Sequence, residues 1–280
     1  KDLRDPEESP QIKVRAGGGM ITMYQETRAH VIRCLTKGVR YDGRKATDFR
    51  PVHIETGVSA SAEGSALVSV GNTQVMVGVK LGLEKPYPDR PDEGNIMVNA
   101  ELLPLSSPEF EPGPPGIFAV ELARVVDRGI REAHAIDVHK LVMTRGEKVW
   151  SVSIDVCTIN DDGNLIDASA LAALAAIKDA VFPVYADEKV DYKHKTDKKI
   201  PLTVQPLAVT VYKIGTFLIV DPQPDEEKVM EARLTITTTE ENKICSLQKG
   251  GDQPLTIDEI DQMAAIALDK AKQLRKLLPK

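Results

Sequence analysis

The chain has few of the residues that mark a disulfide scaffold, a zinc module or a membrane protein. Its 280 residues include three cysteines, which form no CxxC pair and have no histidine at ligand spacing. The longest apolar stretches, such as residues 171–177, are far shorter than the roughly 18 residues that a membrane span requires, and no signal-like segment opens the chain. We therefore expect a cytoplasmic protein with no membrane partner.

An excess of basic residues is also missing. Lys and Arg total 36 against 42 Asp and Glu, for a formal net charge of -6. A surface made for non-specific nucleic-acid binding is usually basic, so any contact with RNA must be confined to a local patch. The hydrophobic content of 42% is enough for a substantial core, and the length allows about two domains or one duplicated unit.

Recognisable cofactor and metal motifs are lacking. The chain has no P-loop and no dinucleotide-binding fingerprint, and its five histidines are scattered with no nucleophile signature nearby. Asp161 and Asp162 begin a segment that lacks the closing Glu of a calcium loop, because that position is Ala172. We expect neither a cofactor nor a metal. The acidic residues that could hold a metal or act as a general acid form one cluster: Asp221, Asp225, Glu226, Glu227 and Glu231.

Local patterns predict an α+β fold. Apolar residues recur at helical spacing in some segments, and in others Val-rich and Ile-rich runs are interrupted by turns. The predicted helices are residues 21–35, 117–134, 166–182 and 256–278, the last with a capping box formed by Thr256 and Glu259. The predicted strands are residues 66–83, as two strands that turn at Gly71-Asn72, and residues 95–103, 149–159, 202–214, 216–220, 234–239 and 243–248.

The chain divides into four segments. A polar arm, residues 1–19, and the leading helix make up residues 1–37, and a first half follows at residues 38–186. Residues 187–199 are charge-mixed with little to bury, so we expect a solvated loop or hairpin there. A second half occupies residues 200–280. We expect the two halves to pack as one globular unit.

Arginine alternates with aspartate after residue 38. Arg40, Arg44 and Arg50 are interleaved with Asp42 and Asp48 around a turn that glycines punctuate. These arginines could bind phosphates, but the neighbouring carboxylates compete for them. The pattern therefore favours a turn that charge-assisted hydrogen bonds hold together.

Several motifs resemble those of the RNase PH family of phosphorolytic exoribonucleases. They are Arg40-Tyr-Asp-Gly-Arg44, Gly64-Ser-Ala-Leu-Val68, Gly71-Asn-Thr73, Glu121-Leu-Ala-Arg124 and Asp221-Pro222, and the resemblance runs from about residue 38 to residue 275. Within the family, residues 109–115 and 125–131 are similar to those of the non-catalytic subunits of the archaeal exosome core ring. The resemblance implies an RNase PH-like fold, with mixed sheets backed by helices in two packed βα halves.

The resemblance also implies an assembly. Such subunits alternate with catalytic RNase PH-like partners in a hexameric ring of three heterodimers, which RNA-binding subunits cap. Single-stranded RNA threads through the channel of the ring, and phosphate cleaves it from the 3′ end. The catalytic partners use an arginine pair, a phosphate loop and two spaced acidic residues.

This chain departs from the catalytic pattern at each of those places. The arginine pair aligns with Ile117 and Phe118, and the phosphate loop aligns with residues 163–165. The first acidic position aligns with Glu227, which could still serve, and the second aligns with Arg233. A guanidinium neither ligates a cation nor acts as a general acid near neutral pH, since its pKa lies above about 12. The resemblance therefore implies a subunit without catalytic residues of its own.

Three arginines repeat along one face of the predicted helix 117–134. We call Arg124, Arg128 and Arg131 the arginine stripe. Three guanidiniums on one helix face suit bidentate contact with RNA phosphates and could hold the RNA 3′ end in register. The alternative is pairing with Glu121 in the same helix or with carboxylates of a partner subunit. We favour RNA for Arg124 and Arg128, and less so for Arg131.

Three hypotheses stay open at this point. The first is a non-catalytic ring subunit that positions RNA. The second is an active phosphorolytic exoribonuclease that uses Glu227. The third is a purely architectural subunit that never touches RNA.

Overall fold

The structure, a computed structural model, describes residues 18–279. The predicted arm lies outside the described residues, apart from Gly18 and Gly19, which begin the first helix. The helices are α1 (Gly18–Thr36), α2 (Ile117–Glu132), α3 (Leu165–Asp179), α4 (Pro224–Lys228) and α5 (Ile257–Arg275), with a short 3-10 helix at Val138–Leu141. The strands are β1 (Val52–Thr56), β2 (Gly64–Val70), β3 (Thr73–Glu84), β4 (Asn95–Glu101), β5 (Val142–Thr144), β6 (Lys148–Asn160), β7 (Val181–Ala186), β8 (Lys189–Lys199), β9 (Leu207–Ile214), β10 (Phe217–Val220), β11 (Ala232–Thr238) and β12 (Ile244–Gly250). The predicted α+β class is confirmed.

The first sheet belongs to the N-terminal half. Its strands follow the order β1-β2-β3-β6-β4, with β5 paired to β6, and only β4 and β6 run parallel. Along β3, Val75, Val77 and Val79 are buried while the residues between them are half-buried, because alternate side chains of a strand point to opposite faces. Helix α3 packs on β2 and β3, and α2 packs on β4. The sheet thereby supports the helix that carries the arginine stripe.

The second sheet belongs to the C-terminal half. Its four antiparallel strands follow the order β10-β9-β11-β12, and α5 packs on β9 and β11. Helix α3 contacts β9 as well as the first sheet, and every residue from Leu165 to Ile177 is buried. Contact with both sheets explains why the sequence of this helix is apolar nearly all round. The turn that precedes it, residues 161–164, therefore lies at the junction of the two halves.

The charged segment 187–199 is a strand rather than a loop. Residues Lys189–Lys199 form β8, which pairs antiparallel with β7, so the hairpin alternative is confirmed and the loop alternative is wrong. The predicted helix 166–182 also runs too far, since α3 ends at Asp179 and β7 begins at Val181. Pro183 disfavours helical backbone at the residue before it, and the Phe182 ring packs edge-on against Trp150.

Other observed element boundaries differ from the predicted ones by a few residues. Strand β9 begins at Leu207 instead of residue 202, and the predicted capping box at the start of α5 is confirmed, with Thr256 accepting from the Glu259 amide. The short elements β1, β5 and α4 and the 3-10 helix at Val138–Leu141 were not predicted from the sequence. Among the described residues, no helix is both long and apolar enough to cross a membrane.

Candidate nucleic-acid interface and degenerate catalytic site

Helix α2 presents the arginine stripe to solvent because its opposite face is apolar. The buried residues recur at helical spacing: Ala119, Leu122, Val125, Val126, Gly129 and Ile130. Gly129 brings the helix close to the second sheet, since a Cβ atom at that position would lie 3.2 Å from the Thr237 side chain. All three stripe arginines are exposed. Their orientation therefore follows from the packing of the helix on the two sheets.

The Arg131 guanidinium is held by contacts within the chain. Its Nη2 donates to Asp127 Oδ1 at 2.7 Å and to the carbonyl oxygen of Ile96 at 2.9 Å. The hydrogen bond to Asp127 is the largest cause of a raised Arg131 pKa. This contact attaches one flank of α2 to β4. Arg131 is therefore less available to a phosphate than an arginine without such partners.

Arg124 and Arg128 have no ion pair and no side-chain hydrogen bond within residues 18–279. The carboxylate that could have paired with Arg124 along the helix, Glu121, instead lies 2.7 Å from Arg233 Nη2 on β11. The intrahelical alternative is therefore wrong for Arg124. Pairing with a partner subunit stays a prediction.

Ile117 and Phe118 form the first turn of α2. Ile117 is 90% exposed, while Phe118 is half-buried against the main core. Neither side chain carries a charge or a hydrogen-bonding group, so neither can bind phosphate. The preceding cap residue, Gly116, makes no side-chain cap either.

The turn at residues 163–165 is filled by the protein itself. The Gly163 carbonyl oxygen accepts from Thr73 Oγ1 at 2.7 Å and from Arg50 Nη2 at 3.1 Å. Gly163 has φ +84°, and a Cβ atom there would lie 2.5 Å from the Pro222 carbonyl oxygen. Asn164 and Leu165 are both buried. The turn offers no charged side chain to an anion.

Glu227 and Arg233 lie beside the same turn. Burial, and secondarily the charge of Asp161, raises the pKa of Glu227, whereas nearby Arg233 opposes that rise. Tyr212 Oη donates to Glu227 Oε1 at 3.2 Å. Arg233 is only 8% exposed and pairs with Glu121, so its charge is already matched by a carboxylate within the chain.

The arginine-rich turn has a structural role, as predicted, but its main partner lies far along the chain. Asp221, with a side chain 0% exposed, accepts from Arg44 Nη1 and Arg50 Nη2, both at 2.7 Å, and from Asn164 Nδ2 at 3.0 Å. Arg40 pairs with Glu226. The Asp221-Pro222 motif was visible in the sequence, yet nothing in the spacing pointed to arginines about 170 residues away.

These pairings occupy most of the acidic cluster. Asp221 and Glu226 face arginines, and Glu231 pairs with Arg28 of α1. Within residues 18–279, no three His, Cys, Asp or Glu side chains are arranged to hold a metal ion.

One buried carboxyl, that of Asp167, was not predicted from the sequence to be a site residue. Asp167 lies in the first turn of α3, and its Oδ1 accepts from the amide and the hydroxyl of Thr210 at 2.8 and 2.7 Å. Its Oδ2 has no hydrogen-bond partner in the described part of the chain. Burial raises the pKa of Asp167 to about 7. No local pattern distinguishes this residue from an ordinary helix-start aspartate.

Comparison with known proteins identifies the family. Models of the 3′ exoribonuclease family match residues 48–183 with domain 1 and residues 205–270 with domain 2. The chain belongs to the RNase PH family of 3′ exoribonucleases.

Relatives in the RNase PH family cover nearly the whole chain. "Exosome complex component Rrp42" of Methanosarcina acetivorans is 49% identical over 250 residues, covering 89% of this chain and 91% of that protein. The protein of the same name from Methanothermobacter thermautotrophicus is 45% identical over 256 residues, covering 91% and 94%.

Solved structures show the same RNase PH fold. A chain of the Archaeoglobus fulgidus exosome "with RNA bound to the active site" superposes with a TM-score of 0.84 at 45% identity, covering 91% of this chain and 98% of that one. A chain of an archaeal exosome core gives a TM-score of 0.82 at 40% identity, covering 94% and 100%. Rice Rrp46, at 17% identity and a TM-score of 0.64, shows the fold alone.

Proposed function

We propose that this chain is a non-catalytic subunit of an archaeal-type exosome ring, which structures the active site of a catalytic partner and helps to bind RNA there. Relatives of this length and similarity are named exosome components, and the similar solved chains come from exosome cores, one of them with RNA bound. The chain spans nearly the full length of those proteins.

The observation that carries the non-catalytic role is the Glu121–Arg233 ion pair. Arg233 stands where the second acidic residue of the catalytic pattern would be, and its charge is matched inside the chain. Ile117 and Phe118 supply no charge for phosphate. Glu227 is the one acidic position that survives, and a lone half-buried carboxyl without phosphate-binding groups does not complete a phosphorolytic site.

The RNA contact is assigned to Arg124 and Arg128, with Arg131 as a weaker contributor. Both guanidiniums are exposed and make no ion pair within the described residues, whereas Arg131 is held by Asp127. An exposed, unmatched arginine on a rigid helix is preorganised for bidentate contact with a phosphate. This assignment favours an RNA-positioning subunit over a purely architectural one.

The assembly we propose contains three heterodimers of this chain with a catalytic RNase PH-like partner, capped by RNA-binding subunits. We keep the cytoplasmic location as a prediction, which the three free cysteines support. Light scattering of this chain mixed with the partner should report a mass near that of six chains. A heterodimer that never grows would contradict the ring.

Phosphate-dependent decay of a labelled single-stranded RNA tests the catalytic assignment. The purified chain alone should release no nucleoside diphosphate, the partner alone should be weakly active or inactive, and the mixture should be active. The matched control is Glu227→Ala in this chain, which should leave the activity of the mixture nearly unchanged. Processive decay by this chain alone, abolished by Glu227→Ala, would establish the second hypothesis in its place.

A further inference from the structure

The Glu121–Arg233 pair lies next to the arginine stripe. Glu121 is three residues before Arg124 on α2, and side chains at that spacing are neighbours on a helix surface. A Glu in this place ordinarily pairs with the arginine that follows it. Here Glu121 turns away from Arg124 and lies 2.7 Å from Arg233 Nη2 on β11.

A glycine opposite Arg233 in the second sheet allows the Arg233 side chain to reach α2. Arg233 on β11 pairs in register with Gly250 on β12, the edge strand of the sheet. A Cβ atom at Gly250 would lie 2.5 Å from Arg233 Nη1, so a larger residue would displace the guanidinium. Because Gly250 has no side chain, the Arg233 guanidinium has room to extend from β11 to α2.

The two flanks of α2 are held by different contacts. Glu121 attaches one flank to β11 through Arg233, and Arg131 attaches the other to β4 through the Ile96 carbonyl oxygen. Arg124 and Arg128 lie between these flanks, exposed and without an ion pair among residues 18–279. The carboxylates within helical reach of Arg124 are those of Glu121 and Asp127, and they pair with Arg233 and Arg131 instead.

We infer that Arg233 is a positioning residue for RNA binding: by pairing with Glu121, it keeps that carboxylate from occupying Arg124 and leaves the Arg124 guanidinium available to an RNA phosphate. The inference rests on the proposed RNA-binding function of Arg124 and Arg128. Arg233, which aligns with the second acidic position of the catalytic pattern, would then contribute to RNA binding. Without Arg233, Glu121 would pair with Arg124, and an RNA phosphate would have to displace that carboxylate.

The experiment measures RNA affinity of the assembled ring in phosphate-free buffer, where phosphorolysis cannot proceed. The probe is a fluorescein-labelled single-stranded oligoadenylate, titrated with rings that carry wild type, Arg233→Met, Glu121→Gln or both substitutions. Arg233→Met should weaken binding about two- to five-fold, since RNA must then break a Glu121–Arg124 pair of ordinary surface strength. Glu121→Gln should leave affinity unchanged or slightly higher, and the double variant should return to within about two-fold of wild type.

A matched control uses a second ion pair of similar burial. Lys213 on β9 pairs with Glu259 on α5, and Lys213 faces Ala232, the neighbour of Arg233, so its side chain lies on the other face of the sheet. Lys213→Met removes the same charge from the same sheet and should not change RNA affinity. An equal loss in Lys213→Met would assign the effect to net charge and overturn the inference.

The pattern among variants separates this role from a structural one. If Glu121→Gln weakened binding as much as Arg233→Met, or if the double variant did not recover, the pair would only be supporting the fold. In an Arg124→Ala background, Arg233→Met should have no further effect, and a persisting loss would also overturn the inference. If Arg124→Ala with Arg128→Ala left affinity unchanged, the proposed RNA-binding function itself would fail.

A second variant covers the case in which Arg233→Met does not assemble. Gly250→Ala keeps the charge but displaces the guanidinium, so it should weaken RNA binding in the same direction, and adding Glu121→Gln should reverse the loss. Unchanged RNA affinity in a properly assembled Gly250→Ala ring would count against the role of Arg233.

Discussion

Replacing Asp221 with alanine should destabilise the chain strongly. The Asp221 side chain is fully buried and accepts hydrogen bonds from the side chains of Arg44, Arg50 and Asn164 and from the Arg50 amide. Its removal leaves two guanidiniums buried or half-buried without their main partner. Breaking a buried ion pair in this way costs about 3–5 kcal/mol.

The cost should be visible in thermal unfolding. For a chain of this length, a loss of that size lowers Tm by about 5–10 °C. Circular dichroism at 222 nm during heating, with urea denaturation at a fixed temperature, would measure it on the purified chain. The matched control is Asp42→Ala, because among residues 18–279 Asp42 pairs only with Arg44, and it is more exposed than Asp221. This substitution should cost less than about 1 kcal/mol.

Equal effects of the two substitutions would refute the reasoning. If Asp221→Ala and Asp42→Ala lowered the unfolding free energy by the same amount within about 1 kcal/mol, the Asp221 network would not hold the two halves together. In that case the arginine-rich turn would be stabilised mainly by its own local carboxylates, as the sequence pattern alone suggested.

Two further predictions follow from the site. Arg124→Ala with Arg128→Ala should change stability by less than about 1 kcal/mol, because both side chains are exposed, but should lower the slope of log affinity against log salt by roughly 0.7 for each lost phosphate contact. An unchanged slope in the assembled ring would indicate that the arginine stripe serves subunit packing and not RNA binding. Asp167→Asn should alter the pH dependence of stability: the folded pKa of about 7 lies above the unfolded value of about 4, so the contribution of Asp167 is full below about pH 4 and is lost as pH rises through 7. Between about pH 4 and 7 the wild type should therefore lose stability relative to Asp167→Asn, by at most about 1.4 kcal/mol per pH unit. An unchanged difference in unfolding free energy between the two proteins across this range would contradict the prediction.

The amino-acid sequence by itself determined the fold class, the long elements and the family resemblance. Helices α2 and α5 and strands β3 and β6 were predictable because periodicity, turn residues and the Thr256 capping box act over a few residues. The β7–β8 hairpin was less visible, since a charged edge strand with one poorly buried face carries little of the alternation that marks a strand.

Only the tertiary structure decided which charged residues pair. Asp221 meets Arg44 and Arg50 across about 170 residues, and Glu121 meets Arg233 across more than 100, so neither pairing leaves a local signal. Local sequence favoured Asp42 and Asp48 as partners for the turn and Glu121 as a partner for Arg124, because neighbouring charges on a turn or helix are always within reach. The packed sheets offered buried positions where the same charges interact more strongly than they do in water, and that difference left Arg124 and Arg128 exposed without a partner in the described chain.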